Sequence, residues 1–315
     1  MSDIVKKATR ESYGEALAEI GEKYPQVVVL DADLAGATKT ATFKKKYPDR
    51  FIDCGIAEAN MIDVAAGLAA CGKIPFASSF AMFAAGRAYE QVRNGVGYPH
   101  LNVKIGASHA GISVGEDGAT HQCNEDIALM RTIPGMVVLS PSDDVETKAA
   151  VRAAAEYVGP VYIRTSRYSA PIINTDPNYK FEIGKGILIK DGKDITIVAT
   201  GIMVAEAKTA AEALEKDGIS ARVINIHTIK PIDREMIIKA AKETGAIVTV
   251  EEHSIIGGLG EAVAAVTADE CPVKVKKIGV TDSFGYSAPA SVILKDFGLC
   301  AENIAAEAKK LFNNK

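Results

Sequence analysis

His109-Ala110-Gly111-Ile112-Ser113-Val114-Gly115-Glu116-Asp117-Gly118-Ala119-Thr120-His121-Gln122 directly follows a short apolar run, residues 103–107. The run reads as a buried strand. The stretch after it gathers two of the five histidines with two carboxylates and several glycines. Glycine lets the backbone approach a ligand closely or take conformations closed to other residues. In an α/β sheet, a polar glycine-rich loop leaving the end of a strand is where ligands are held. Histidine and aspartate together there suit hydrogen bonding to a substrate, or proton transfer. The competing reading is a polar surface loop with solvated histidines.

Working outward from this loop, short apolar, β-branched runs alternate with helical patterns. Residues 27–30, 74–80, 136–139 and 161–164 read as further strands, and 57–71, 81–95 and 143–157 as helices. This alternation implies βαβ units and a mainly parallel sheet with helices on both faces. Proline, asparagine and aspartate cluster over 171–178, which reads as a linker. The alternation then resumes, with strands expected at 195–199, 221–226, 246–250 and 273–280 and helices at 204–216, 233–243 and 258–269. The expected architecture is two α/β domains, 1–175 and 180–315, each a mainly parallel sheet flanked by helices.

The composition narrows the function. At 315 residues, 48% hydrophobic and 24% charged, the chain suits two globular units. A net charge of −4 and a pI near 5.8 offer no basic face for nucleic acid. No apolar run is long enough to span a membrane, and residues 1–10 lack the apolar core of a signal peptide. Five scattered cysteines without a CxxC pair argue against a disulfide framework or a zinc site. A cytoplasmic location is expected.

Other segments carry weaker chemical signals. Asp53-Cys54-Gly55-Ile56-Ala57-Glu58-Ala59-Asn60-Met61 opens an alanine-rich helix, with Glu58 in its first turn. There a carboxylate favours the helix dipole, which is reason enough for a glutamate. Phe80 and Phe83, three apart, read as core packing or as the wall of a flat heterocycle. Gly257-Gly258-Leu259-Gly260 lacks a dinucleotide spacing and reads as a tight strand-to-helix turn. His227 and His253 read as structural.

Together these segments resemble a known family. The segments around Glu58 and Phe80 and the loop 109–122 occur in an order that resembles the pyrimidine-binding domain of transketolases. These are thiamine-diphosphate enzymes that move two-carbon ketol units between sugar phosphates. Residues 227–233, 250–260 and 281–285 are similar to the transketolase C-terminal domain. The loop containing Gly115-Glu116-Asp117-Gly118-Ala119-Thr120-His121-Gln122 is the most specific element, because related thiamine-diphosphate enzymes carry a different loop there.

The resemblance assigns roles residue by residue. Glu58 matches the glutamate that hydrogen-bonds the aminopyrimidine of the cofactor and favours its imino tautomer. That role implies a protonated or proton-sharing carboxyl, helped by an apolar pocket. Phe80 and Phe83 match the aromatic wall of the pyrimidine pocket, and Asp33 and Ile56 match further cofactor-side positions. Asp117 and His121 match residues that bond the substrate hydroxyls beside the reacting carbonyl; His121 and Glu58 are the catalytic candidates. Arg10, His109 and Arg167 match residues that bind the sugar phosphate, a dianion suited to the planar fork of arginine.

A full transketolase also carries Gly-Asp-Gly and, some distance on, an Asn that together hold a divalent metal, and that pair is not found here. The resemblance therefore implies the C-terminal subunit of a split transketolase. A separate N-terminal subunit would hold the metal (Mg or Ca), and the whole would assemble as α2β2. Two departures stand out: Ala37 replaces a frequent serine of the phosphate group, and Gly86 a frequent tyrosine, with Tyr89 near enough to fill the space. The alternatives are the β subunit of a thiamine-diphosphate 2-oxo-acid dehydrogenase and a non-catalytic scaffolding subunit. Preferred sugars and pathway are left open.

Overall fold

The computed structural model describes residues 5–176 and 179–315. Among these are fourteen strands: β1 (Lys6–Ala8), β2 (Val27–Asp31), β3 (Phe51–Asp53), β4 (Ile74–Phe80), β5 (Lys104–Ser108), β6 (Val137–Leu139), β7 (Val161–Arg164), β8 (Ser169–Pro171), β9 (Ile187–Lys190), β10 (Ile195–Ala199), β11 (Ala221–Asn225), β12 (Thr228–Lys230), β13 (Ala246–Ser254) and β14 (Lys274–Val280). One sheet runs β12-β6-β7-β5-β4-β2-β3 and a second β14-β13-β10-β11-β9. Every neighbouring pair in them is parallel except the edge pairs β12–β6 and β9–β11. β1 and β8 form a separate antiparallel pair.

The central strands β2, β5, β7 and β10 are buried at every residue. A parallel sheet covered on both faces favours largely apolar strands. The buried cations Lys104 of β5 and Arg164 of β7 are paired, Lys104 Nζ donating to the carbonyls of Tyr157 and Gly159 and Arg164 Nε to Asp126. Successive side chains of a strand point to opposite faces, and β2 divides accordingly. Val27 and Val29 pack with Leu17, Ile20 and Val151, whereas Val28 and Leu30 pack with Met61, Ile62 and Ala65. In the second sheet Ile195 and Ile197 face the helices Met203–Lys216 and Ala301–Asn313, and Val198 faces Arg234–Thr244 and Leu259–Glu270.

Three findings go beyond the sequence reading. Residues 81–95 do not form one α-helix. Two wide-turn segments, Met82–Arg87 and Gln91–Gly97, replace it, with Ala88 N donating to Phe83 O (3.1 Å) and Tyr98 N to Arg93 O (2.8 Å). The Met82 methyl packs against Gly86, where a Cβ would lie 2.2 Å from Met82 Cε. The expected linker, 171–178, is pinned where it is described: Ile173 N and Asn174 N both donate to Asp143 Oδ2 at 2.8 Å. Its residues Pro177 and Asn178 lie outside the described residues. Finally, β12 comes from the second half of the chain yet pairs with β6 of the first sheet.

Candidate active site

The predicted site residues gather at the carboxyl ends of the first sheet's strands, where open α/β sheets hold ligands. Asp33 follows β2, Ile56 and Glu58 follow β3, Phe80 ends β4 and Phe83 follows it. His109, Asp117 and His121 follow β5, and Arg167 follows β7. Arg10 sits in the first turn of the helix Thr9–Lys23. It is tied to the Arg167 segment because Arg10 N donates to Ser166 O (3.3 Å) and Ser166 N to Thr9 Oγ1 (2.7 Å).

The Phe80 ring lies at the centre. It stacks on Phe83 at 5.8 Å with 14° between planes, and on the imidazole of His109 at 3.8 Å. His121 meets Phe83 edge-on at 5.4 Å, and its Nδ1 lies 3.0 Å from Thr120 Oγ1. His109 Nε2 lies 3.1 Å from Arg10 Nη1. Burial, and then the charges of Arg10 and Arg167, pull His109 down to about 3, so near neutral pH its imidazole is uncharged and accepts from Arg10. Burial and Arg167 likewise pull Arg10 down, and its Nε is buried without a partner. Arg167 Nη1 donates to the Val114 carbonyl and, at 2.8 Å, to Glu116 Oε2. The result is a compact, donor-rich corner with one donor still to be satisfied.

Glu58 is nearly fully buried in the first turn of the helix Glu58–Ala70. Its environment corrects the expectation of an apolar pocket. Arg87 Nη1 donates to Glu58 Oε2 at 2.8 Å, and the same guanidinium lies 4.5 Å from the Phe83 ring centroid. Arg87 was missed from sequence although it stands four residues after Phe83, a spacing that places side chains over one another.

Other expected residues stand further apart. Ile56 is 78% exposed, and Asp117 is exposed at the tip of its loop. Asp33 takes a left-handed backbone (φ 61°), and its N–H donates to Asp53 Oδ1 (3.2 Å). Aspartate tolerates that conformation better than most residues. Its loop is organised by Asp31, whose carboxylate accepts from Leu34 N (2.6 Å), Thr38 Oγ1 (2.7 Å) and Thr40 Oγ1 (2.8 Å). Ala37 offers its carbonyl to Arg10 Nη1 at 3.0 Å. The Tyr89 hydroxyl lies 2.9 Å from Thr132 Oγ1, and Met82 Cε lies beside Gly86. Beside the site a cleft of about 600 Å³ opens between Met82, Thr120 and Asn124 on one wall and Ser254, Asp282 and Phe284 on the other.

The glycine turn 257–260 is filled from within, since Leu259 N and Gly260 N donate to the Glu251 carboxylate at 2.6 and 2.8 Å. His227 stacks on Phe181 at 4.1 Å, and His253 is fully buried, with Nε2 accepting from Ala128 N at 3.3 Å. Among the described residues, no group of three or more His, Cys, Asp or Glu side chains is placed to hold a metal ion. No helix among them is long and apolar enough to cross a membrane.

Residues 5–172 match the family model "Transketolase, pyrimidine binding domain", and residues 184–304 match "Transketolase, C-terminal domain". The chain belongs to the transketolase family. A putative transketolase C-terminal section of Methanocaldococcus jannaschii is 56% identical over 96% of this chain and 95% of its own length. The 6-deoxy-6-sulfo-D-fructose transketolase subunit SqwH of Clostridium sp. is 46% identical over 97% of this chain and 95% of its own. A solved split gene transketolase, an inactive beta4 tetramer, has a TM-score of 0.91 at 53% identity, covering 97% of this chain and 98% of that one. The chain thus corresponds to the C-terminal subunit of a split transketolase.

The transketolase family uses thiamine diphosphate, and the residues present fit its aminopyrimidine half. The near-parallel rings of Phe80 and Phe83 give a flat apolar wall, and Glu58 gives a buried carboxylate linked to that wall through Arg87.

Proposed function

We propose that this chain completes, with an N-terminal subunit, an enzyme that transfers a two-carbon ketol unit from a ketose phosphate to an aldose phosphate. The observation that carries this reading is the position of Phe80, whose ring stacks on both Phe83 and His109. The proposed pyrimidine wall and the donor-rich corner are therefore parts of one continuous site.

When bound, thiamine diphosphate supplies the carbon nucleophile that accepts and passes on the ketol unit. Glu58 holds the aminopyrimidine nitrogen and shares a proton with it. Asp33 and Ile56 border the cofactor from the loops after β2 and β3. Arg10 and Arg167 hold the distal phosphate, which gives the unpartnered Arg10 Nε an acceptor, and His109 belongs to the same phosphate group by accepting from Arg10 and so fixing its guanidinium. Asp117 and His121 read the hydroxyls near the reacting carbons. With Nδ1 of His121 engaged by Thr120, its other ring nitrogen is left for the substrate.

The divalent ion, Mg or Ca, is held by the N-terminal subunit through the Gly-Asp-Gly and Asn pair of full transketolases. The assembly is α2β2, with each site built from both kinds of chain. We divide the chain into functional units 1–175 and 180–315, and place the enzyme in the cytoplasm, in sugar-phosphate interconversion of the pentose phosphate type.

Purified chain supplied with thiamine diphosphate and Mg should show no ketol transfer, and adding the N-terminal subunit should restore it. Robust turnover by the single chain, or a reconstituted complex active on 2-oxo acids and inert with sugar phosphates, would overturn the proposal.

A further inference from the structure

The loop carrying Asp117 and His121 belongs to the first half of the chain, yet it is held from the second. Glu252, on β13, is 2% exposed and directs its carboxylate at the turn that opens the loop. Ser113 N donates to Glu252 Oε1 at 2.6 Å. Gly111 makes room for this: it has φ 81°, and a Cβ there would lie 2.3 Å from that same oxygen. Further along, Ser287 Oγ donates to the carbonyl of Glu116, the residue before Asp117. Gln122, the residue after His121, donates through Nε2 to the carbonyls of Gly115 (3.2 Å) and Tyr286 (2.9 Å). Fastenings to the second half therefore bracket both substrate residues.

Glu252 is itself braced. Arg164 Nη2 donates to its carbonyl at 2.7 Å, and Arg164 Nε donates to Asp126 Oδ2 at 2.9 Å. Its other carboxylate oxygen, Oε2, is buried without a partner. That oxygen contributes no hydrogen bond to the fold, whereas Oε1 fixes the turn that opens the loop.

We propose that Glu252 is a positioning residue for ketol transfer: by holding Ser113 it sets the loop conformation that presents Asp117 and His121 to the substrate. The second half of the chain thereby acts on catalysis through the loop. The inference rests on the split-transketolase reading above.

The test uses the complex with the N-terminal subunit, thiamine diphosphate and Mg, and compares wild type, Glu252→Ala and Glu252→Gln. A small misplacement of reacting groups costs on the order of a hundredfold in rate, so Glu252→Ala should lower kcat about ten- to a hundredfold. KM for a phosphorylated donor should rise less than kcat falls, because Arg10 does not touch the loop, while Arg167 leans on it through the Val114 carbonyl and Glu116. Affinity for thiamine diphosphate should be unchanged, and amide exchange over residues 111–122 should accelerate. Glu252→Gln keeps an acceptor oxygen and should recover most of the loss. Wild-type kcat with unchanged exchange in the alanine variant overturns the proposal, as does a glutamine variant as impaired as alanine. An equal loss of kcat, cofactor affinity and assembly also overturns it, since that pattern marks a merely structural role. If Glu252→Ala does not fold, Glu252→Asp takes its place, since the side chain shortened by one methylene withdraws the carboxylate from Ser113 N. It should lower kcat more than it raises KM, and a variant with wild-type kcat and unchanged exchange overturns the proposal. Absence of ketol transfer in the wild-type complex would overturn the functional reading instead, and the exchange measurement would still decide whether Glu252 holds the loop.

Discussion

The ion pair between Glu58 and Arg87 is lopsided: 2.8 Å separates the charged atoms, but the carboxylate side chain is 2% exposed and the guanidinium side chain 51%. The buried member is fixed in the first turn of a helix, and the exposed member reaches it from the wide-turn segment Met82–Arg87. Arg87 also lies over the Phe83 ring, so its planar cation occupies the neighbourhood proposed for the aminopyrimidine.

Replacing Glu58 by glutamine keeps its shape but removes its acidity. In the reconstituted complex, steady-state kinetics of Glu58→Gln should show kcat reduced by at least about a hundredfold, the scale of a general acid–base element. Arg87→Met leaves the carboxyl in place, and its loss should be no more than about tenfold. If Glu58→Gln turns over normally, the glutamate is only a helix-end charge.

Removing one phosphate ligand should act on binding. Charge-assisted hydrogen bonds contribute about 1.5–3 kcal/mol, so Arg167→Ala should raise KM for a phosphorylated donor roughly ten- to a hundredfold, with a smaller effect on kcat. An unphosphorylated donor serves as the control. Equal damage with both donors would remove Arg167 from the phosphate corner.

The buried histidines and glutamates bind protons in opposite senses. Burial pulls His253 from 6.5 down to about 4, so between those values the unfolded chain binds more protons, and stability is lost as pH falls through that window. Burial pushes Glu251 and Glu252 from 4.5 up to about 7, so the stability they contribute at low pH is lost as pH rises through 7. Going from pH 6.5 to 4.5, the unfolding free energy of His253→Gln from urea titration should shift by about 2 kcal/mol in favour of the fold relative to wild type. Parallel pH curves for the two proteins would show that His253 contributes nothing to the pH dependence.

The central strands were legible because burial on both faces forces unbroken apolar runs such as Val27-Val28-Val29-Leu30. The edge strands β9 and β12 were not, since an edge residue needs neither a continuous apolar run nor strict alternation, and Thr228-Ile229-Lys230 carries no pattern of its own. In the site, the spacing of Phe80 and Phe83 left core packing and an aromatic wall equally open, and only the resemblance to transketolases chose the wall. Glu252 acts across 139 residues, which local periodicity does not record. One sign of it was present: Glu251, Glu252 and His253 place three ionisable groups in succession on an apolar strand. The wide turns after Phe83 escaped because a period slightly longer than that of an α-helix leaves the same apolar residues inward over one or two turns.

The β12–β6 pairing bears on how such chains can be recombined by engineering. A chimera spliced once, within residues 171–178, would give the first sheet an edge strand from a foreign parent. A truncation at the same place would strip that edge altogether, leaving Val137, Val138 and Leu139 with an unpaired side. A bare apolar edge is a template for pairing with other chains. A transferable unit therefore carries residues 228–230 from its own parent, which makes the exchange of halves a design with more than one junction.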